Sequence, residues 1–136
     1  VPQGNMLISG TIRDNITLCD DTVNEDDIIK AAKVASVYDF IKTLPDGFDT
    51  MISERGQGLS EGQIQRIAIA RALLFDAPII LLDEATSALD EKTETLLLNN
   101  LKNLTDKTIL FITHRNTSLD ACDKILHLSN GTFSEI

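Results

Sequence analysis

Most of what the sequence lacks is informative. No apolar stretch in the 136 residues approaches the roughly 18 that a membrane-spanning helix needs, and no secretory signal pattern opens the chain. Basic residues are few: 12 Lys and Arg stand against 21 Asp and Glu, for a net charge of -9. A chain of that sign argues against nucleic acid, whose phosphates must be neutralised by cations. The acidic balance otherwise speaks only for solubility. There are just two cysteines, Cys19 and Cys122, far apart and without metal-ligand spacing. Free thiols in a reducing compartment are the expectation, and a disulfide framework or zinc site is not. Repeats and low-complexity tracts are absent. What remains is one domain's worth of chain, enough to bury a core.

The informative stretch is LSEGQIQRIAIARALLFDAPIILLDEATSALD, from Leu59 to Asp90. Ile79 to Leu82 form an unbroken apolar run. A half-exposed strand would alternate, so this pattern predicts a strand buried on both faces, as in a parallel sheet. It ends in Asp83 and Glu84. In open α/β sheets ligands gather at the carboxyl ends of strands. Two adjacent carboxylates there suit a Mg²⁺ ion, which takes oxygen ligands and keeps several waters, at one of them. The other is then free to orient or deprotonate a water. Taken alone, Asp83-Glu84 is equally a solvated acidic turn.

Upstream, Ser60 and Gln63 have capping-box spacing, and Gly62 between them lets a ligand approach the backbone. A helix start of this kind offers free N–H groups and a positive dipole end to an anion. An ordinary capped helix carries the same pattern. Ile64, Ile67, Ala68, Arg71 and Leu74 recur at helical spacing, and Pro78 ends the element.

The rest of the chain supplies scaffolding. Val1 to Ser9 reads as an entering loop and Thr11 to Ile16 as a helical turn. Asn24 is a candidate N-cap, with Asp27 at the third position, for a helix to about Ser36 that places Ile28, Ala32 and Ala35 on one face. The acids Asp20, Asp21, Glu25, Asp26 and Asp27 lack calcium-loop spacing, and enrichment of acids in the first turn of a helix explains most of the cluster. Ser36 and Asp39 have the spacing to cap a short helix through Thr43, which Leu44-Pro45-Asp46-Gly47 ends. Phe48 to Gly58 is a loop, and no strand is expected between about Thr11 and Phe75. Asp90 is the predicted N-cap of a helix to about Leu104, with Leu97, Leu101 and Leu104 inward. Thr108 to Thr113 is a second buried strand, tipped by His114. Such a His is equally a surface residue, but beside a strand ending in Asp83-Glu84 the two tips would share one rim. A short helix over Arg115 to Ala121 and a strand over Lys124 to Leu128 follow. Asn130-Gly131 then signals a hairpin, with Thr132 to Ile136 as the return. His127 reads as structural.

Taken in order, these motifs resemble the nucleotide-binding domain of ATP-binding cassette (ABC) transporters. LSEGQ resembles the signature motif, with Glu61 where Gly is usual. IILLDE resembles Walker B followed by the catalytic Glu, SALD the D-loop, His114 the switch histidine, and Val1-Pro2-Gln3 the Q-loop. The resemblance covers the whole chain, and five motifs in order make it specific. Glu54-Arg55-Gly56, with LPDGFDT before it, resembles the exporter segment that touches the coupling helices of the membrane domain.

The resemblance implies an α/β fold: a partial P-loop NTPase core with parallel strands, an α-helical subdomain and a C-terminal β-hairpin. The expected division is 1–10 for the Q-loop segment, 11–77 for the helical subdomain and 78–136 for the core. It implies ATP and Mg²⁺ as cofactors and a second nucleotide-binding domain and a transmembrane domain as partners. The implied location is the cytoplasmic face of a membrane. Asp83 would hold Mg²⁺ and Gln3 complete its shell. Glu84 would act as general base, and His114 would position the γ-phosphate and the attacking water. Ser60, Gly62 and Gln63 would face nucleotide bound by the partner domain, and Asp90 would signal across the dimer.

No G-x-x-x-x-G-K-[ST] occurs, so the phosphate loop is missing. The chain begins with Val inside a motif and is expected to be the C-terminal half or more of such a domain. By itself it is expected to be inactive and to self-associate through uncovered sheet surface. The alternative is a piece of a soluble ABC-type ATPase acting on DNA, or of another non-transport ABC protein. In the DNA-acting ATPases the Q-loop and signature are separated by a long coiled coil, whereas a compact segment joins Gln3 and Ser60 here.

Overall fold

The computed structural model describes residues 1–2, 7–53, 56 and 58–135, with the backbone alone at residues 116 and 117. Gln3 and the pair Glu54-Arg55 lie outside the described residues.

The first half is helical. Helix α1 (Ile12–Thr17) starts with a reciprocal cap: the Asp14 amide donates to Thr11 Oγ1 at 3.0 Å, and the Thr11 amide donates to Asp14 Oδ2 at 2.7 Å. It follows directly on the two-residue strand β1 (Gly10–Thr11). Helix α2 (Glu25–Val34) is capped by Asn24 Oδ1, which accepts from the Asp26 amide at 3.0 Å. Asp27, the sequence-predicted partner position, donates its amide to the Asn24 carbonyl instead. Glu25, Asp26 and Asp27 fill the first turn of α2 and Lys33 the last, as the helix dipole favours.

Helix α3 (Tyr38–Thr43) departs from expectation: its N-cap is Val37, with no side-chain cap. Ser36 belongs to the end of α2. It sits at φ 57°, and its amide closes a turn on the Lys33 carbonyl at 3.0 Å. A second correction follows a 3₁₀ turn at Gly47–Asp49, where Met51–Ile52 (β2) pairs antiparallel with β1, so this half does contain a small sheet.

Helix α4 (Glu61–Leu74) packs against α1 and α2. Its buried set includes the consecutive Ile67, Ala68, Ile69 and Ala70, wider than one stripe, because neighbours lie on several sides of it. Arg71 Nε donates to the Asn15 carbonyl at 2.6 Å, and buried Asn15 donates in turn to the carbonyls of Ile8 and Thr11. This polar knot ties the Leu7 region, α1 and α4 together.

In the second half, β3 (Ile79–Asp83) and β4 (Thr108–Ile112) are parallel neighbours in the register Ile79↔Thr108 through Asp83↔Ile112. Helix α5 (Glu91–Lys102) crosses between them, and its Leu97 and Leu101 share one core with Ile80, Leu82, Ala85 and Leu89. Each of these leucine and isoleucine side chains contributes roughly 1.5–3 kcal/mol by leaving water. Burial on both strand faces, expected from the apolar run, is not found. Ile80 and Leu82 are buried, whereas Ile79 (66 % exposed) and Leu81 (47 %) face out, with Leu110 and Ile112 exposed on β4. No described element covers that side. Val1 is also more than part of a loop: its amino group donates to the Leu81 carbonyl, and its carbonyl accepts from the Asp83 amide, along the β3 edge opposite β4.

A short helix α6 (Asn116–Leu119) precedes the hairpin of β5 (Leu126–Ser129) and β6 (Thr132–Glu135). Asn130 and Gly131 both have positive φ, 50° and 76°, as a type I′ turn requires. His127, read as structural, lies in β5 as an exposed residue opposite Ser134. Cys19 and Cys122 are free thiols, and burial pushes that of Cys122 up. Among the described residues no helix is long and apolar enough to cross a membrane.

Candidate functional site

Parallel pairing places the tips of β3 and β4 side by side. The last ladder pair is Asp83↔Ile112, and the Glu84 amide extends the ladder by donating to the Ile112 carbonyl at 2.9 Å. Glu84 then turns sharply, at φ 47°. A left-handed backbone at a non-glycine residue is uncommon and is found at sites where surrounding structure holds it. The turn brings the Glu84 carboxylate to His114, with Oε1 and Nδ1 3.4 Å apart. His114 is largely exposed at the rim and Glu84 is less so. A carboxylate and an imidazole on adjacent strand tips can orient a water or move a proton. Asp83 lies beside them, half-buried.

The second part of the site is the start of α4. The Gln63 amide donates to Ser60 Oγ at 3.2 Å, and the Ser60 amide donates to Gln63 Oε1 at 2.8 Å. This is the capping box read from the spacing. Both side chains use an acceptor in it, which leaves the Ser60 hydroxyl proton and the Gln63 Nε2 hydrogens as donors toward an anion. Gly62 is needed for packing: a Cβ there would lie 2.9 Å from the Ala88 carbonyl oxygen. The helix start is thereby pressed onto the segment that follows Glu84.

That segment, Ala85 to Leu89, leads into Asp90, the predicted N-cap of α5. Asp90 accepts from the Thr93 amide at 3.0 Å and from the Thr93 hydroxyl at 2.7 Å. The hydroxyl bond, then the amide bond, hold its carboxyl below the usual carboxylate range.

Of the predicted site residues, the structure therefore joins Glu84 with His114, seats Asp83 beside them, and ties the Ser60–Gln63 turn to the same segment through Gly62. Gln3 lies outside the described residues. Among those described, no group of three or more His, Cys, Asp or Glu side chains could hold a metal ion by itself. One hard carboxylate at a strand tip is still compatible with Mg²⁺, which takes one or two carboxylates and completes its shell with water and phosphate oxygens. Asp83 has that chemistry.

The sequence reading missed Gln65, Glu94 and Arg115, which surround the Thr86–Leu89 segment. Glu94 is 1 % exposed and accepts from Thr86 Oγ1 at 2.7 Å, Ser118 Oγ at 2.9 Å and Arg115 Nη1 at 2.9 Å. A signal for it existed: Glu94 shares the inward stripe of α5 with Leu97, Leu98 and Leu101, where a lone charge demands a partner.

Parallel strands with carboxylates at one tip and a histidine at the next, joined to a helical subdomain through a capped helix start, make up part of an α/β core of the P-loop NTPase fold class. Residues 1–87 match a family model described as ABC transporter. The chain is 44 % identical over 136 residues to a "Putative multidrug export ATP-binding/permease protein" of Staphylococcus aureus strain NCTC 8325, covering 99 % of this chain and 24 % of that protein. A protein of the same description from the bovine strain RF122 matches at the same identity and coverage. Among solved structures, a bacterial Atm1-family ABC exporter with ATP bound superposes with a TM-score of 0.89 at 41 % identity, over 98 % of this chain and 24 % of that one. The chain belongs to the ABC transporter family. It spans about a quarter of the length of the curated relatives it matches.

Proposed function

We propose that these residues form the signature, Walker B, D-loop and switch-histidine part of a nucleotide-binding domain in an ABC exporter, where ATP hydrolysis at a head-to-tail dimer interface drives transport across a membrane. The observation that carries the reading is the Glu84–His114 pair, held 3.4 Å apart on adjacent parallel strand tips.

In this reading Glu84 accepts the proton of the water that attacks the γ-phosphate, or holds that water in line. His114 donates a hydrogen bond to the γ-phosphate and keeps the Glu84 carboxylate turned toward the water. Ser60, Gly62 and Gln63 offer the hydroxyl proton, a backbone amide and the side-chain amide to a nucleotide held by the phosphate loop of the partner domain. That loop's motif does not occur in the 136 residues. Asp83 holds Mg²⁺, with Gln3 as a further ligand; the ion, when bound with ATP, offsets charge on the phosphates. The residues' part is mainly positioning and charge stabilisation, as in phosphoryl transfer generally. Asp90, at the start of α5, carries the state of one site toward the other. We place the division at 1–10, 11–77 and 78–136, with the membrane domain and a second nucleotide-binding domain as partners on the cytoplasmic side. Homology to exporters supports the transport role.

The test is Glu84→Gln in a full-length transporter carrying this chain. The amide keeps the shape but cannot take a proton, so steady-state ATP hydrolysis should fall at least about 100-fold, the scale of general-base catalysis, while ATP binding is retained. Phosphate release within a few-fold of wild type would refute the role of Glu84.

A further inference from the structure

The Thr86–Leu89 segment needs little help to turn. The Ser87 amide donates to the Glu84 carbonyl at 3.1 Å and the Leu89 amide to the Thr86 carbonyl at 3.0 Å. Yet it is also gripped from two sides. From α4, the buried Gln65 donates Nε2 to Ser87 Oγ at 2.9 Å and accepts the Ala88 amide through Oε1 at 3.2 Å. From the loop after β4, Arg115 Nη1 donates to the carbonyls of Thr86 (3.3 Å) and Leu89 (3.0 Å), and Nη2 to the carbonyl of Ser87 (3.0 Å). The same guanidinium is anchored on buried Glu94 at 2.9 Å. Every residue from Thr86 to Leu89 thus carries a bond to Gln65 or Arg115.

The two grips come from elements that bear different halves of the site. Gln65 lies two residues after Gln63 on the signature helix. Arg115 follows His114 directly, and the segment it holds begins two residues after Glu84. We propose that Gln65 and Arg115 are positioning residues for ATP hydrolysis: together they lock Thr86–Leu89 so that the signature end of α4 and the Glu84–His114 pair keep a fixed relation. The proposal rests on the hydrolytic function proposed above and adds two residues that act through the segment they hold. A guanidinium fork suits the task, since it reaches three carbonyls and a carboxylate at once in fixed geometry. Lysine in its place keeps the charge opposite Glu94 but loses the fork.

The experiment compares Gln65→Met, Arg115→Lys, Arg115→Met and the Gln65→Met/Arg115→Lys double variant in the full-length transporter, reading kcat and KM for Mg-ATP and the thermal midpoint. Gln65→Met, near in length but without hydrogen bonds, and Arg115→Lys should each lower kcat about tenfold or more with KM within about threefold, the pattern of a lost transition-state geometry. Gln65→Met gives up two hydrogen bonds and should lower the thermal midpoint by a few degrees, whereas Arg115→Lys keeps the charge opposite Glu94 and should lower it less than Arg115→Met does. Arg115→Met, which strands Glu94, should lose kcat and midpoint together. The double variant should fall no more than about threefold below the worse single one, because both residues act through one segment. A wild-type protein that hydrolyses ATP while Gln65→Met and Arg115→Lys stay within about twofold in kcat would overturn the positioning role alone. Losses of kcat in proportion to the fall in thermal midpoint across the three single variants, or losses that multiply in the double variant, would overturn it as well. A wild-type transporter that does not hydrolyse Mg-ATP would refute the functional reading itself, and the positioning role with it.

Discussion

Replacing Gly62 with alanine perturbs the contact between the start of α4 and the segment after Glu84. The added Cβ would meet the Ala88 carbonyl oxygen at 2.9 Å and Leu89 Cδ2 at 3.0 Å. The leucine methyl can swing aside, but the carbonyl is backbone, and its residue is held on the other side by Gln65. Ordinary contact requires a separation of about 3.5 Å, so helix and segment must part by roughly 0.5 Å. Overpacking of this kind costs about 1–3 kcal/mol. Stretching the Ala88–Gln65 bond, 3.2 Å long at the outset, forfeits part of the roughly 1 kcal/mol of a typical hydrogen bond. Against this, alanine gains at most about 1 kcal/mol of helix propensity over glycine. The expected net effect is a loss of about 1–2 kcal/mol, with the thermal midpoint down by roughly 3–8 °C for a domain of this size. Equilibrium urea unfolding of wild type, Gly62→Ala and Glu61→Ala measures it. Glu61 is an exposed neighbour on the same turn, and its substitution should stay within about 0.5 kcal/mol. A Gly62→Ala chain as stable as wild type would show that the helix start is not seated on Ala88, and would remove the contact that ties the signature turn to Glu84.

Other outcomes are equally checkable. In a full-length transporter Ser60→Ala should impair nucleotide-driven closure of the dimer more than nucleotide binding by one domain, because the lost cap costs only about 1 kcal/mol; equal loss of single-domain affinity in equilibrium titration contradicts the placement. The 136-residue chain alone should show no micromolar binding of Mg-ATP by calorimetric titration, since one exposed helix end offers about 0.3–1 kcal/mol where micromolar affinity needs about 8; saturable micromolar binding overturns this. Light scattering of the same chain should show dimers or larger species, because Ile79, Leu81, Leu110 and Ile112 form one exposed apolar face; a monomer at high concentration refutes it. The carboxyls of Asp14 and Asp90, held low by bonds from Thr11 and Thr93 respectively, titrate lower in the folded than in the unfolded chain. Their contribution to stability is therefore present above the ordinary carboxylate pKa of about 4 and is lost as pH falls through the folded values. Asn in place of both should flatten the acid limb of an unfolding curve measured against pH, and an unchanged limb contradicts the assignment.

Local chemistry was legible in the amino-acid order. The Ser60–Gln63 capping box, the Asp90 cap, the apolar runs of β3 and β4 and the Asn130-Gly131 turn all follow from interactions between residues within a few positions of one another, which spacing alone encodes. The order of motifs was enough for the family, and the apolar runs were enough to mark both strands, each ending in polar residues. Where the spacing erred, a competing local bond had won: Ser36 spends its backbone closing α2 in a left-handed conformation, so it does not cap α3. Only the tertiary structure decided the rest. Alternation of buried and exposed residues along β3 depends on which faces find a covering layer, and the run Ile79 to Leu82 is apolar whether or not one is present. Pairing of Glu84 with His114 depends on parallel register across 30 positions of chain. The roles of Gln65, Glu94 and Arg115 depend on three distant segments converging on four residues, and hydrogen bonds between partners 21 to 29 positions apart leave no periodic trace in a sequence.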